Sequence, residues 1–322
     1  MPLDPVTQIF LAQLAEQRDP PIHESTPAIA RMSGPIMSGL SGRGPEMASV
    51  HDLKLDAADG GRVRVRVLVP EGEPQAVVVY FHGGGWVIGD IDLQYDHVGR
   101  HLAQLTRSTV VLVNYRKAPE HPFPTALDDS WVGLTWAASH AADFAPAGVP
   151  LIVAGDSAGG NLAAVMARWA RDRGGPTVDC QVLVYPVTDC DFERPSYLAP
   201  ENQLLLGRET MIWFWNHYLP DDSARRHPDA SPLRADDLSG LPPALVYVAE
   251  YDPLHDEGVA YAQALADAGV PVTLEEAAGQ MHAYFQMANI LPGYAAGIAL
   301  VADYIGAFVA GRADGPVQRK VV

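Results

Sequence analysis

Cysteine is scarce in this chain, two residues among 322, which excludes a disulfide framework as the source of stability. Cys180 opens the apolar run Gln181-Val182-Leu183-Val184-Tyr185 and is expected as a buried free thiol rather than as the partner of Cys190. No run of about 18 apolar residues occurs, and the opening Met1-Pro2-Leu3-Asp4-Pro5-Val6-Thr7 has neither a basic stretch nor a continuous apolar one. The expectation is a soluble, cytoplasmic protein with no stable membrane association. Basic residues are short as well: 22 Lys and Arg against 39 Asp and Glu leave a formal charge of −17. That excess argues against nucleic acid, which needs clustered cations to neutralise phosphate. Neither His-Glu-x-x-His nor another close ligand spacing is present, so no metal and no organic cofactor is expected. A chain of this length buries roughly three quarters of its unfolded surface, enough for one large core without covalent staples.

The most informative segment present is Gly155-Asp156-Ser157-Ala158-Gly159. It lies between the apolar run Leu151-Ile152-Val153-Ala154 and the helix-like Gly160-Asn161-Leu162-Ala163-Ala164-Val165-Met166. Strand, sharp turn and helix in that order lift a serine hydroxyl clear of a sheet, above a helix N-terminus. A Cβ at 155 or 159 would collide across so tight a turn. Upstream, the buried-strand run Val77-Val78-Val79-Tyr80-Phe81 enters His82-Gly83-Gly84-Gly85-Trp86. Successive glycines free backbone N–H groups to point into one concavity, which suits a developing oxyanion. His82 itself is expected to brace this loop by hydrogen bonding rather than to act as a base.

A serine hydroxyl is a poor nucleophile near neutral pH and needs an imidazole to take its proton and a carboxylate to orient that imidazole. Both partners should follow the serine in chain order. The strand-like Ala244-Leu245-Val246-Tyr247-Val248-Ala249 ends in Glu250-Tyr251-Asp252-Pro253-Leu254, and carboxylates at that end of a parallel strand face the ligand crevice. Asp252 is the candidate acid, although Asp-Pro is also a common turn former and Glu250 and Asp256 compete for the role. A helix over 257–268 and a strand over 270–276 lead to Gly279-Gln280-Met281-His282, whose histidine is the candidate base.

In their order these stretches resemble the hormone-sensitive-lipase-like esterases, also called bacterial family IV, of the α/β-hydrolases. The resemblance rests on His82-Gly83-Gly84-Gly85-Trp86, Asn114-Tyr115-Arg116-Lys117-Ala118-Pro119-Glu120-His121-Pro122-Phe123-Pro124, Gly155 to Asn161, Asp252-Pro253-Leu254-His255-Asp256-Glu257-Gly258 and His282. It implies Ser157 as nucleophile, Asp252 as acid, His282 as base, and an oxyanion hole built from the N–H groups of Gly83, Gly84 and Ala158. It also implies a serine carboxylesterase for short- to medium-chain carboxylic esters. This chain departs from the family at Lys117, usually leucine, and at Ala283, usually glycine.

The expected architecture is an α/β-hydrolase fold, a mostly parallel eight-stranded sheet flanked by helices, over 47–187 and 231–322. A helical cap would be assembled from 1–46, with helices over 5–17 and 26–37, together with 188–230. The aromatic stripe Met211, Trp213, Phe214 and Trp215 lies in the second cap segment and is expected to cover the substrate pocket, the alternative being ordinary core. The last strand, expected at the sheet edge, offers unpaired backbone groups to a second copy, so a homodimer is expected there, with the stretch Ala299 to Val309 taking part; the alternative is a monomer whose edge is protected by the charges of Glu275 and Glu276. Two other functions fit the same residues. An amidase or peptidase would use the same chemistry, and a non-catalytic small-ligand receptor could share the fold, although the complete set of Ser157, Asp252 and His282 argues for an enzyme.

Overall fold

β-branched runs set the sheet. The computed structural model describes residues 1–17 and 20–311 and contains strands β1 (Ser49–Asp56), β2 (Arg62–Val69), β3 (Val77–Phe81), β4 (Thr109–Asn114), β5 (Leu151–Asp156), β6 (Cys180–Val184), β7 (Ala244–Tyr251) and β8 (Val272–Met281). They form one eight-stranded sheet in the order β1-β2-β4-β3-β5-β6-β7-β8. Only β2 runs against the rest, pairing antiparallel with both β1 and β4. Residues alternate between two apolar layers: Val77, Val79 and Phe81 of β3 face one, Val78 and Tyr80 the other. Burial of this kind contributes roughly 1.5–3 kcal/mol per large apolar side chain.

The helices are α1 (Pro5–Gln17), α2 (Pro27–Ala30), α3 (Ser33–Ser41), α4 (Asp96–Thr106), α5 (Thr125–Ser139), α6 (Ala141–Phe144), α7 (Ala158–Asp172), α8 (Pro195–Leu198), α9 (Arg208–Tyr218), α10 (His255–Asp267) and α11 (Gly293–Val309). Leu134 of α5, Leu162 of α7 and Tyr261 of α10 cover one face of the sheet, whereas Leu102 of α4 and Ile298 of α11 cover the other. The single helix expected over 26–37 is instead broken between α2 and α3. Pro35 has no N–H to offer the Arg31 carbonyl and its ring would strike it, so the helix restarts with proline in its first turn. The last strand runs further than expected, to Met281, which leaves His282 as the first residue beyond it. Both cysteines are free, Cys180 being buried. Among the described residues no helix is long and apolar enough to cross a membrane.

Because β3, β5, β6, β7 and β8 are mutually parallel, their C-terminal ends share one rim, where open α/β sheets bind ligands. Register sharpens this: Phe81 lies opposite Gly155, which sets the glycine loop after β3 against the turn after β5.

Candidate active site

Ser157 sits at that turn with φ 56° and ψ −121°, immediately before α7. The turn closes only without side chains at its glycines: a Cβ on Gly155 would meet the Gly159 carbonyl, and one on Gly159 would meet the Phe81 carbonyl. The Ser157 N–H donates to the Val184 carbonyl at 2.9 Å, which pins the strained residue to β6.

Ser157 Oγ lies 3.0 Å from His282 Nε2, and His282 Nδ1 lies 2.6 Å from Asp252 Oδ2. The carboxylate is fully buried and the other two side chains nearly so. Asp252 is a turn former as well, because its Oδ1 accepts the Leu254 N–H at 2.8 Å; its two oxygens divide the two tasks. The competing carboxylates are engaged elsewhere. Glu250 accepts the Gly279 N–H and pairs with the N-terminal ammonium, and Asp256 accepts the Ser196 N–H and faces His255.

His82 behaves as a brace. Its Nδ1 lies 2.7 Å from the Gly83 carbonyl, and its ring stacks on Tyr115 with centroids 4.3 Å apart. Burial, with Lys117 nearby, holds the imidazole well below its usual range, so Nδ1–H donates and the ring is neutral. The glycine loop itself requires a correction. The Gly83 N–H, expected in the oxyanion hole, donates to Asp156 Oδ1 at 3.0 Å. That carboxylate also accepts the hydroxyls of Tyr80 at 2.8 Å and Tyr95 at 2.9 Å, and a donor held by a buried anion is not available to a substrate. The N–H groups of Gly84, Gly85 and Ala158 have no acceptor among the described residues; for Ala158 this follows from its place at the start of a helix. Asp156 was invisible as a functional residue from sequence, since its partners come from β3 and from the residue preceding α4.

The aromatic stripe reaches the same loop unevenly. Phe214 occupies the space a Cβ on Gly85 would need. Trp215 meets the Trp86 indole edge-on at 5.0 Å, and Tyr218 stacks on it at 4.0 Å, so Trp215 is a buried strut rather than an open wall. Met211 is buried on the same helix, and Trp213 is partly exposed against Phe214 and His217. N-terminal and inserted segments touch where His23 Nδ1 lies 3.2 Å from Thr210 Oγ1.

The insertion is also stitched to the loop that carries Asp252. Asn202 Nδ2 donates to the Asp252 carbonyl at 3.3 Å, Ser196 Oγ to the Pro253 carbonyl at 2.7 Å, and Thr188 Oγ1 to the Glu257 carbonyl at 2.7 Å. The buried Glu257 carboxyl accepts the N–H groups of Thr188 and Asp189. Ala283, just past His282, has φ 70°, a left-handed conformation that suits glycine better than a residue with a Cβ. Among the described residues no group of three His, Cys, Asp or Glu is placed to hold a metal ion.

Comparison with known proteins places the chain in a family. The family described as alpha/beta hydrolase fold matches residues 78–286. Carboxylesterase NlhH of Mycobacterium tuberculosis is 44% identical over 223 residues, covering 68% of this chain and 69% of the relative. An ethyl acetate hydrolase of Pseudomonas putida is 37% identical over 269 residues, covering 82% and 84%. Among solved structures, a hyperthermophilic esterase from the archaeon Pyrobaculum calidifontis superposes with a TM-score of 0.88 at 38% identity, covering 96% of this chain and 99% of that one. An ester hydrolase from the metagenome of Lake Arreo, complexed with a derivative of bipyridine phosphonate, gives 0.89 at 35% identity, covering 96% and 99%. By its motifs, its sheet order and these relatives, the chain belongs to the hormone-sensitive-lipase-like esterases of the α/β-hydrolase family.

Proposed function

We propose that this chain is a serine carboxylesterase that hydrolyses short- to medium-chain carboxylic esters through an acyl-enzyme on Ser157. The observation that carries the reading is the unbroken, buried relay from Asp252 through His282 to Ser157 Oγ. His282 takes the hydroxyl proton as Ser157 attacks the ester carbonyl, then returns it to the departing alcohol. Water activated by the same imidazole releases the acid. Asp252 holds the tautomer that leaves Nε2 facing the serine and stabilises the imidazolium.

The oxyanion donors in this reading are the N–H groups of Gly84, Gly85 and Ala158. Residues 1–46 and 188–230 form the cap, with Phe214 as the wall nearest the glycine loop. A cap closed over the rim suits small soluble esters better than lipid aggregates, and a relative named ethyl acetate hydrolase supports short acyl groups. The free part of the β8 edge, 272–276, is the proposed contact of a homodimer; further along, Asp4 N–H already donates to the Gly279 carbonyl.

Rates on p-nitrophenyl esters from acetate to palmitate, with the matching anilides, test the reading: turnover should fall with acyl length and be far slower on anilides. Ser157→Ala and His282→Ala should each abolish nearly all turnover, and the double variant should be little worse than either, because nucleophile and base act as a unit. Multiplicative losses would refute the assignment.

A further inference from the structure

Two hydrogen bonds in the plane of the His282 ring leave it one freedom. Nδ1 faces Asp252 and Nε2 faces Ser157 Oγ, so the imidazole can still rock about the line joining its nitrogens, and rocking swings both bonds out of alignment. A group packed against the face of the ring stops that motion. Tyr185 stands there: its ring centroid lies 4.4 Å from that of His282, with the planes inclined at 50°. Behind it Tyr284 meets the phenol edge-on at 5.8 Å and is itself met by Tyr247 at 6.2 Å. Tyr185 and Tyr284 are both fully buried, so the phenol is backed by packed rings.

The backbone is strained to put this ring in place. Tyr185 is the first residue past β6 and has φ 33°, a region that glycine enters freely and a residue with a Cβ does not. Its N–H donates to the Tyr247 carbonyl at 2.6 Å. On either side of it, the Val184 carbonyl accepts the Ser157 N–H at 2.9 Å and the Val187 N–H donates to the Ser157 carbonyl at 3.1 Å. The turn that presents the phenol to His282 is therefore bonded to the nucleophile's own backbone, and strain of this kind clusters at working sites.

We propose that Tyr185 is a positioning residue for His282, a role that rests on the relay proposed above: its ring fixes the tilt of the imidazole, and its π cloud stabilises the imidazolium that forms in each half of the reaction. The other groups that act on this imidazole are Asp252 from the loop after β7, Asp156 from the end of β5 and the Ser157 hydroxyl. Asp252 and Ser157 hold the ring at its nitrogens, and among the described residues Tyr185 is the one aromatic ring packed against it.

Hydrolysis of p-nitrophenyl butyrate is measured from about pH 5 to 9 with the full chain and with Tyr185→Phe, Tyr185→Leu and Tyr185→Met, each with a thermal melt. Tyr185→Phe keeps the ring face and should hold kcat within about twofold of the wild type. The aliphatic variants should lose about tenfold in kcat with KM nearly unchanged, and the acid limb of kcat/KM should move to lower pH by about half a unit, because an imidazolium without its π partner gives up its proton more readily. Tyr185→Met serves if Tyr185→Leu does not fold. Wild-type kcat in a folded aliphatic variant would overturn the proposal, as would a lost rate with the acid limb unmoved, which would make Tyr185 packing alone. A loss in Tyr185→Phe as large as in the aliphatic variants would overturn it too, by assigning the effect to the hydroxyl. Ser157→Ala separates these results from failure of the relay: turnover retained there would remove the relay and the role of Tyr185 with it, whereas an inactive Ser157→Ala beside an undiminished Tyr185→Leu would remove the role of Tyr185 alone.

Discussion

Asp156 is the strongest place to perturb the site without touching the relay. Its carboxylate, 1% exposed, accepts three hydrogen bonds, from Tyr80, Tyr95 and the Gly83 N–H. Replacing it with asparagine keeps the shape and removes the charge. Hydrogen bonds to a charged acceptor contribute about 1.5–3 kcal/mol against about 0.5–1.5 for neutral ones, so the two bonds to Oδ1 weaken by about 2–3 kcal/mol in total, and the Tyr95 hydroxyl, facing the new amide NH2, must accept where it donated. Part of this is returned, because burial disfavours the ionised carboxyl and lifts its pKa, against the pull of the two tyrosines, Gly83 and His282. A net loss of about 1–2 kcal/mol should remain, lowering Tm by about 1.5–3 °C. The catalytic effect should be larger than stability implies. Gly83 is the link that holds Gly84 and Gly85 in place, and loss of a whole oxyanion donor costs about 2.7–4 kcal/mol. Partial loosening should lower kcat by about tenfold with KM nearly unchanged, and Asp156→Ala, which leaves the Gly83 N–H without an acceptor, by about a hundredfold. Steady-state kinetics on p-nitrophenyl butyrate with parallel thermal melts decides the matter. An Asp156→Asn variant with wild-type kcat would refute the idea that this carboxylate holds the glycine loop.

Phe214→Ala should open the wall beside Gly85 and raise kcat/KM on octanoate relative to acetate esters by about fivefold, on the order of 1 kcal/mol of apolar contact; a uniform loss at all chain lengths would assign Phe214 to the core alone. Glu257 gives a pH signature: burial lifts its carboxyl to about 8 against the opposing hydrogen bonds from Thr188 and Asp189. Between its unfolded value near 4.5 and about 8 the folded chain keeps a proton that the unfolded chain has released, so stability falls as pH rises through that window. Glu257→Gln keeps an acceptor for both N–H groups and cannot ionise, so its Tm should gain several degrees on the wild type between pH 5.5 and 9, and a constant difference would refute the assignment. Light scattering at micromolar concentration should give twice the chain mass of 34.6 kDa, and a mass near the single value would remove the dimer.

Much of this was legible because the controlling signals are local. Val77–Phe81 and Arg62–Val69 announce themselves as strands, and the positions of Ser157, Asp252 and His282 follow from where strands end. What stayed hidden depends on groups meeting across the sheet. Nothing near Gly83 reveals that Asp156, some seventy residues later, takes its N–H, and nothing near Glu257 reveals that Thr188 and Asp189 point at its carboxyl. The extension of β8 to Met281 was missed because Gly279 reads as a turn residue, yet a strand accommodates its φ of 72° there. The division of the aromatic stripe between wall and strut depends on a docking angle that helical periodicity does not specify.

The ties from Thr188, Ser196 and Asn202 to the segment 252–257 bear on engineering by recombination. Exchange of residues 188–230 between relatives would ordinarily count as a swap of specificity modules, with the chemistry left behind in the host. Here a grafted segment that lacks matching donors would leave the backbone around Asp252 unanchored, and the imidazole orientation would drift with it. Chimeras should therefore exchange 188–230 and 252–257 together, as one inheritable unit split in sequence but joined in space.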